Sequence, residues 1–403
     1  MIHQPPAGAR DLLPLEVEQK CWINDQLQEV FQRWGYQRIV TSTIERLETL
    51  MAGGAIEGTT VIQLQDGREG RLGLRPELTA SIARAAVTRM GSSTAQRLCY
   101  RANVFRNPPV GHHGRQLEFY QAGVELLFAG GVLADGEILL LLADCLQKLG
   151  LEQWQLVVGE ASLTRSLLSP FPPNIREQVR HCLANLDRVG LENLPLSPEL
   201  LDRALLVLDL RGKPADVLQK VASLELDVAG KEIVKSLKSL MELLAASSTQ
   251  PFPLTLDLSL IQTFDYYTGI VFDAVGFKNN QPQILGQGGR YDRLLGLYDP
   301  QGKSAPGIGF SLNIEDLYHC LLETSPLPQK APATDWLVIP ATASAATAAF
   351  AYAANLRQSK HLVRVEIELG EKTRGEILDY ARNRRISRLA WVDVEGIPTI
   401  ESV

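Results

Sequence analysis

Apolar positions recur at helical spacing over residues 15–34, where Ile23, Leu27, Val30, Phe31 and Trp34 share one side and Gly35 stops the run. Residues 36–45 predict a strand and 78–90 a second helix. Strands follow at 98–105 and 115–128, and 132–149 is a long apolar helix ending at Gly150. Residues 174–248 are helical in pattern and hold no glycine-rich or catalytic motif, which marks an insertion. Strands return at 253–258 and 267–277, then a glycine turn at Gly286–Gly289 and a helix at 313–323.

The stretch 325–334 carries three prolines in ten residues, which disfavours helix and central strand and predicts a linker. Beyond it, strand 335–340, helix 344–358, strand 362–368, helix 373–384 and strand 388–393 predict a small βαβαβ unit with a parallel sheet. The pattern as a whole predicts an α+β chain: a core over 1–324 with its helical insertion, a linker, and an α/β domain over 335–403.

Composition narrows the class. The chain has 403 residues, 45% hydrophobic and 21% charged, with a net charge of −6, and nothing in it marks a dedicated polyanion binder. Its five cysteines are scattered, without metal-ligand spacing, which predicts reduced thiols, a cytoplasmic setting and no metal site. The start lacks a basic region followed by an apolar stretch, and the run Ile138–Ala143 is far too short to span a bilayer.

Candidate chemistry begins in 115–126. Alternate side chains of a strand share a face. Tyr120, Ala122, Val124 and Leu126 then point to a core, while Arg115, Gln121, Gly123 and Glu125 lie opposite. Gly123 leaves a gap between a carboxamide and a carboxylate that fits a small cationic or amphoteric ligand. A polar, solvent-facing side of a half-buried sheet gives the same alternation. Glu77 and Thr79 open a helix after Pro76, which by itself is an ordinary helix start. Tyr266 and Tyr267, adjacent on a strand, fit plain packing with one ring on each face.

In order, these segments form a longer series. Leu74 to Thr79, Phe105-Arg106, Arg115 to Glu125, Gln262 to Gly269, Gly288 to Asp292 and Gly307 to Leu317 together resemble the histidyl-tRNA synthetases, class II enzymes, along almost the whole chain. The resemblance implies an antiparallel sheet flanked by helices, a synthetase-like dimer, and an anticodon-binding-like C-terminal domain. It also implies a histidine pocket. Positions matching Glu77, Thr79 and Gln121 hold the α-amino group, those matching Glu125 and Tyr267 reach the imidazole, and Arg115 and Tyr266 complete the candidate set.

Two positions depart from the family's chemistry: arginines that handle the carboxylate and phosphates stand where this chain has Gln262 and Asp316. Arg106 is kept, Pro108 replaces the usual glutamate, and Ser42 replaces a proline of the dimer motif. Adenylation accumulates negative charge that fixed cations must meet. The expectation is therefore a non-catalytic protein with no cofactor. A kept pocket with deleted chemistry resembles the synthetase-like regulatory subunits of ATP phosphoribosyltransferase. That implies a short-form catalytic subunit as partner, in a hetero-octamer, with histidine as the feedback ligand of histidine biosynthesis. The alternatives are an RNA-binding or scaffold paralogue and an active ligase. From 331 to 403 there are nine Lys/Arg and nine Asp/Glu, and that neutrality argues against a nucleic-acid partner.

Overall fold

The computed structural model describes residues 3–403 apart from 55, 66–69, 92–93, 108–115, 223, 225, 248–251, 261–265, 325 and 371. The chain divides into two units, Met1–Leu327 and Pro328–Val403.

The first unit is built on a nine-stranded sheet in the order Gln37–Arg38, Gln96–Phe105, Glu118–Leu127, Gly307–Asn313, Gln281–Arg290, Ile270–Lys278, Trp154–Glu160, Leu254–Asp257, Arg211–Gly212. The pairings are antiparallel except at Gln37–Arg38 with its neighbour and between Trp154–Glu160 and Leu254–Asp257. The helices Pro14–Arg33, Val132–Lys148 and Ile314–Thr324 share a core with Ala122, Val124 and Leu126 of the strand Glu118–Leu127. The alternation read from the sequence thus sends this side of the strand into the main core. The opposite side carries Gln121 and Glu125, both buried.

Several elements differ from the expectation. Gly286–Gly289 is not a turn: these residues lie inside the strand Gln281–Arg290. A Cβ on Gly288 would stand 2.4 Å from Gly309 O and 2.5 Å from the Phe272 ring, so the glycines admit close neighbours within the sheet. The strand expected at 36–45 is two short strands, Gln37–Arg38 and Ile44–Arg46, in different sheets. Arg75 fastens the bend between them, its Nη1 donating to Thr41 O at 2.9 Å and its Nε to Asn103 O at 3.0 Å. The helix expected over 78–90 is α-helical over Thr79–Ala85 and π-helical over Ala86–Met90. The strands Trp154–Glu160 and Gly307–Asn313 were not anticipated, and the helical insertion contains the short strand Arg211–Gly212.

In the second unit, Val365–Ile367, Trp336–Pro340 and Arg388–Val392 are parallel, as expected, but a fourth strand, Pro398–Ser402, adds antiparallel at the edge. Helices Ala346–Arg357 and Arg374–Arg384 pack in two separate cores, one containing Ala349 and Ala353, the other Ile377 and Ala381. Thr373 and Glu376 form a capping box at the start of the second helix. None of the five cysteines is joined in a disulfide, and only Cys21 is exposed. Among the described residues no helix is long and apolar enough to cross a membrane, and no group of His, Cys, Asp and Glu could hold a metal ion.

Candidate functional site

A cleft of about 130 Å³ opens on the side of the sheet away from the main core. It is smaller than the pockets of several hundred Å³ that hold drug-sized ligands, and its size suits an amino acid. Glu77, Thr79, Gln121, Glu125, Tyr266 and Tyr267 all line it. Arg115, Gln262, Asp265 and Pro108 lie outside the described residues.

The start of the helix Thr79–Ala85 supplies one wall. Glu77 accepts from the backbone N–H of Thr79 and, at 2.9 Å, from that of Ala80, so it caps the helix as well as lining the cleft. These bonds to the helix start fix the carboxylate in place at the cleft wall. Burial pushes the Glu77 carboxyl above its ordinary value, opposed by the Ala80 and Thr79 bonds.

Glu125 sits at the floor, 1% exposed. Thr79 Oγ1 donates to its Oε1 at 2.7 Å, and Tyr291 Oη donates to its Oε2. Burial nevertheless holds its pKa up at about 8, against the two donors and with the help of neighbouring Glu77. Gly309 faces it across the strand pair, and a Cβ there would be 2.0 Å from Glu125 Oε2.

The gap at Gly123 is filled rather than open. A Cβ at Gly123 would stand 2.5 Å from Tyr100 Oη and 2.2 Å from Phe310 O, so this glycine makes room for Tyr100, and Tyr100 lines the cleft. The two tyrosines also differ from the expectation. They precede the strand Ile270–Lys278, and their rings lie 4.9 Å apart at 60° instead of on opposite faces. Tyr291 packs edge-on against Tyr266 at 5.9 Å.

The remaining wall comes from Asn313 and Asp316, at the start of the helix Ile314–Thr324. Gln283 Nε2 donates to Asp316 Oδ1 at 3.3 Å, and burial, with Glu315 adjacent, raises the Asp316 carboxyl to about 6. Glu315 faces another way. Its Oε2 accepts from Lys20 Nζ and, at 3.0 Å, from Arg10 Nη2, while its backbone N–H donates to Asn313 Oδ1 at 3.0 Å. Arg106 completes the site, its Nε donating to Pro76 O at 2.8 Å. The described lining therefore sets three carboxylates, Glu77, Glu125 and Asp316, against one guanidinium, Arg106. Such a lining favours a ligand that brings a cation and hydrogen-bond donors.

Tyr100, Tyr291 and Gly309 were not singled out as site residues. Tyr291 stands within the quoted Gly288–Asp292 segment, and Gly309 within the Gly-Ile-Gly that opens the last segment. Those two had a signal; Tyr100 had none, because its place depends on a glycine in the neighbouring strand.

Comparison with known proteins places this geometry in a family. The family model described as histidyl-tRNA synthetase matches residues 8–317. The chain is 68% identical over 405 residues to an ATP phosphoribosyltransferase regulatory subunit of Rippkaea orientalis, with 100% of both chains covered. It is 68% identical over 407 residues to the regulatory subunit of Gloeothece citriformis, again over 100% of both. A solved structure from Bacillus halodurans, described as an ATP phosphoribosyltransferase regulatory subunit/histidyl-tRNA synthetase, is similar at 28% identity and TM-score 0.80, covering 98% of this chain and 97% of that one. The synthetase-like core, with its acidic cleft and full-length relatives, belongs to the family of ATP phosphoribosyltransferase regulatory subunits, built on the histidyl-tRNA synthetase fold.

Proposed function

We propose that this chain is a non-catalytic subunit that activates a short-form ATP phosphoribosyltransferase catalytic subunit and carries the histidine signal in feedback on histidine biosynthesis. The observation that carries the reading is the acidic lining of the cleft: Glu77, Glu125 and Asp316 stand against the one guanidinium of Arg106, and Glu125, held protonated up to about pH 8 by burial, can give up its proton to an arriving cation. A cationic amino group is welcome there and a triphosphate is not. An aspartate about 4 Å from a phosphate oxygen, at an effective dielectric of ~20, opposes it by ~4 kcal/mol, where an arginine would attract by as much. Asp316 and Gln262, each in place of a family arginine, thus argue against adenylation and leave amino-acid binding possible.

Histidine binds between Glu77, Thr79, Gln121, Glu125, Tyr266 and Tyr267 in this reading, and the family resemblance adds Arg115, which lies outside the described residues. Its arrival favours the ionised form of Glu125. Coupling to the catalytic partner requires that histidine bind two states of the complex with different affinity. A synthetase-like dimer within a hetero-octamer is the assembly that goes with this role.

Calorimetric titration with histidine and then with ATP, beside a Glu125→Ala variant, tests the ligand. Histidine binding that the variant loses, with no ATP binding, is expected. Tight ATP binding reopens the ligase reading. Coexpression with the short catalytic subunit tests the partner, and absence of a complex refutes it.

A further inference from the structure

Tyr291 reaches Glu125 from just beyond the strand Gln281–Arg290, and the backbone there is held from two sides. Thr268 N donates to Arg290 O and Tyr291 N to Gly307 O, both at 2.7 Å, while Asp292 N donates to Thr268 Oγ1 at 2.9 Å. The Arg290 side chain lines a different cavity, of about 320 Å³, beside the insertion helix Val228–Ser247. There its Nε and Nη2 both donate to Asp135 Oδ1, at 2.9 and 2.5 Å, and its Nη1 to Asp292 Oδ1 at 3.1 Å. Arg290 is 6% exposed and Asp135 9%. Gly269 makes room for the arginine stem, since a Cβ there would be 2.7 Å from Arg290 Cδ. Buried ion pairs add little net stability compared with apolar packing, so a pair built with this care directly behind the cleft calls for another role.

We propose that the Arg290–Asp135 pair is a positioning device for Tyr291: it fixes the strand end and thereby the hydrogen bond that Tyr291 gives Glu125. The acidity of Glu125 is then set from outside the cleft, beside the insertion. The titratable and charged groups around Glu125 are Glu77, Tyr100, Tyr266, Tyr267 and Tyr291, with Tyr36 farther off and Arg106 beyond Glu77. Tyr291 donates to the carboxylate and favours its ionised form, so loosening Tyr291 moves the Glu125 titration to higher pH. The consequence for ligand affinity rests on the amino-acid reading of the cleft; the link to Glu125 does not.

The test is a carboxyl-carbon NMR titration of the ligand-free full chain labelled at glutamate, with the Glu125 signal assigned by Glu125→Gln. Asp135→Asn and Tyr291→Phe are each expected to raise the Glu125 midpoint, by about one pH unit, the size of one hydrogen bond to a charged group. The double variant is expected to go no further than Tyr291→Phe alone, because Asp135 acts through Tyr291. Arg290→Lys keeps the charge but loses the two-nitrogen grip, and is expected to fall in between. It carries the test if Asp135→Asn does not fold. An unmoved midpoint in the folded variants, or shifts that add in the double variant, overturns the proposal. Histidine calorimetry on the same proteins separates the two readings: a wild-type chain that binds no histidine refutes the amino-acid site and leaves the NMR result to decide the positioning.

Discussion

Thr79 Oγ1 lies 2.7 Å from Glu125 Oε1, so the first turn of one helix and the strand Glu118–Leu127 meet at a single buried carboxylate. Breaking that contact alone tests how the floor of the cleft is held. Thr79→Val removes a donor to a carboxylate, a loss of ~1.5–3 kcal/mol when the acceptor is ionised. The destabilisation, read from urea denaturation, is expected to be larger at pH 9 than at pH 6, because Glu125 ionises at about 8.

Glu125 itself makes stability depend on pH in an unusual direction. Its folded pKa of about 8 lies above the ordinary 4.5, so between these values the folded chain binds a proton that the unfolded chain does not. Stability from this group is fullest below about pH 4.5 and is lost as pH rises toward 8. Glu125→Gln removes that slope. The Tm of the variant, relative to the unaltered chain, is expected to climb from pH 5 to pH 8 in calorimetric scans, and a constant difference contradicts the assignment.

Gly123→Ala is expected to cost ~1–3 kcal/mol, because the new methyl meets a backbone oxygen, Phe310 O, and the Tyr100 ring together. The oxygen belongs to a paired strand and has little room to shift. A lower denaturation midpoint with weakened histidine binding is the expected result. A variant as stable as the parent shows that Tyr100 moves freely.

All described residues lining the cleft lie in the unit Met1–Leu327. Truncation after Leu327 is expected to leave the histidine dissociation constant within about twofold, since substitutions at independent sites rarely couple. A larger change, read by calorimetry, places part of the ligand response in the second unit.

The long periodic helices were legible because their apolar stripes face one core: 15–34 and 132–149 correspond to Pro14–Arg33 and Val132–Lys148. The alternation at 120–126 is legible as well, since its two faces meet different surroundings. The strand Gln281–Arg290 was hidden by its glycines, which the local pattern reads as a turn but which the sheet uses to admit Phe272, Tyr267 and neighbouring carbonyls. The edge strand Pro398–Ser402 was hidden because its exposed positions leave it without an apolar alternation. At the site, the ligand-facing residue types were readable as a series, yet the filling of the Gly123 gap and the pairing of the two tyrosine rings were not. Both depend on contacts between segments far apart in sequence, and no spacing rule encodes those.

Glu315 and Asp316 are neighbours in sequence that look into different surroundings, one toward Lys20 and Arg10, the other into the cleft. Each residue of an α-helix turns the next by about 100°. One residue inserted or deleted between Asn313 and Glu315 would rotate both carboxylates off their partners at once, withdrawing the cleft's wall and leaving the buried Lys20 with only Glu16 of its two carboxylate partners. The length of this junction is therefore as much a part of the site as the identity of its side chains.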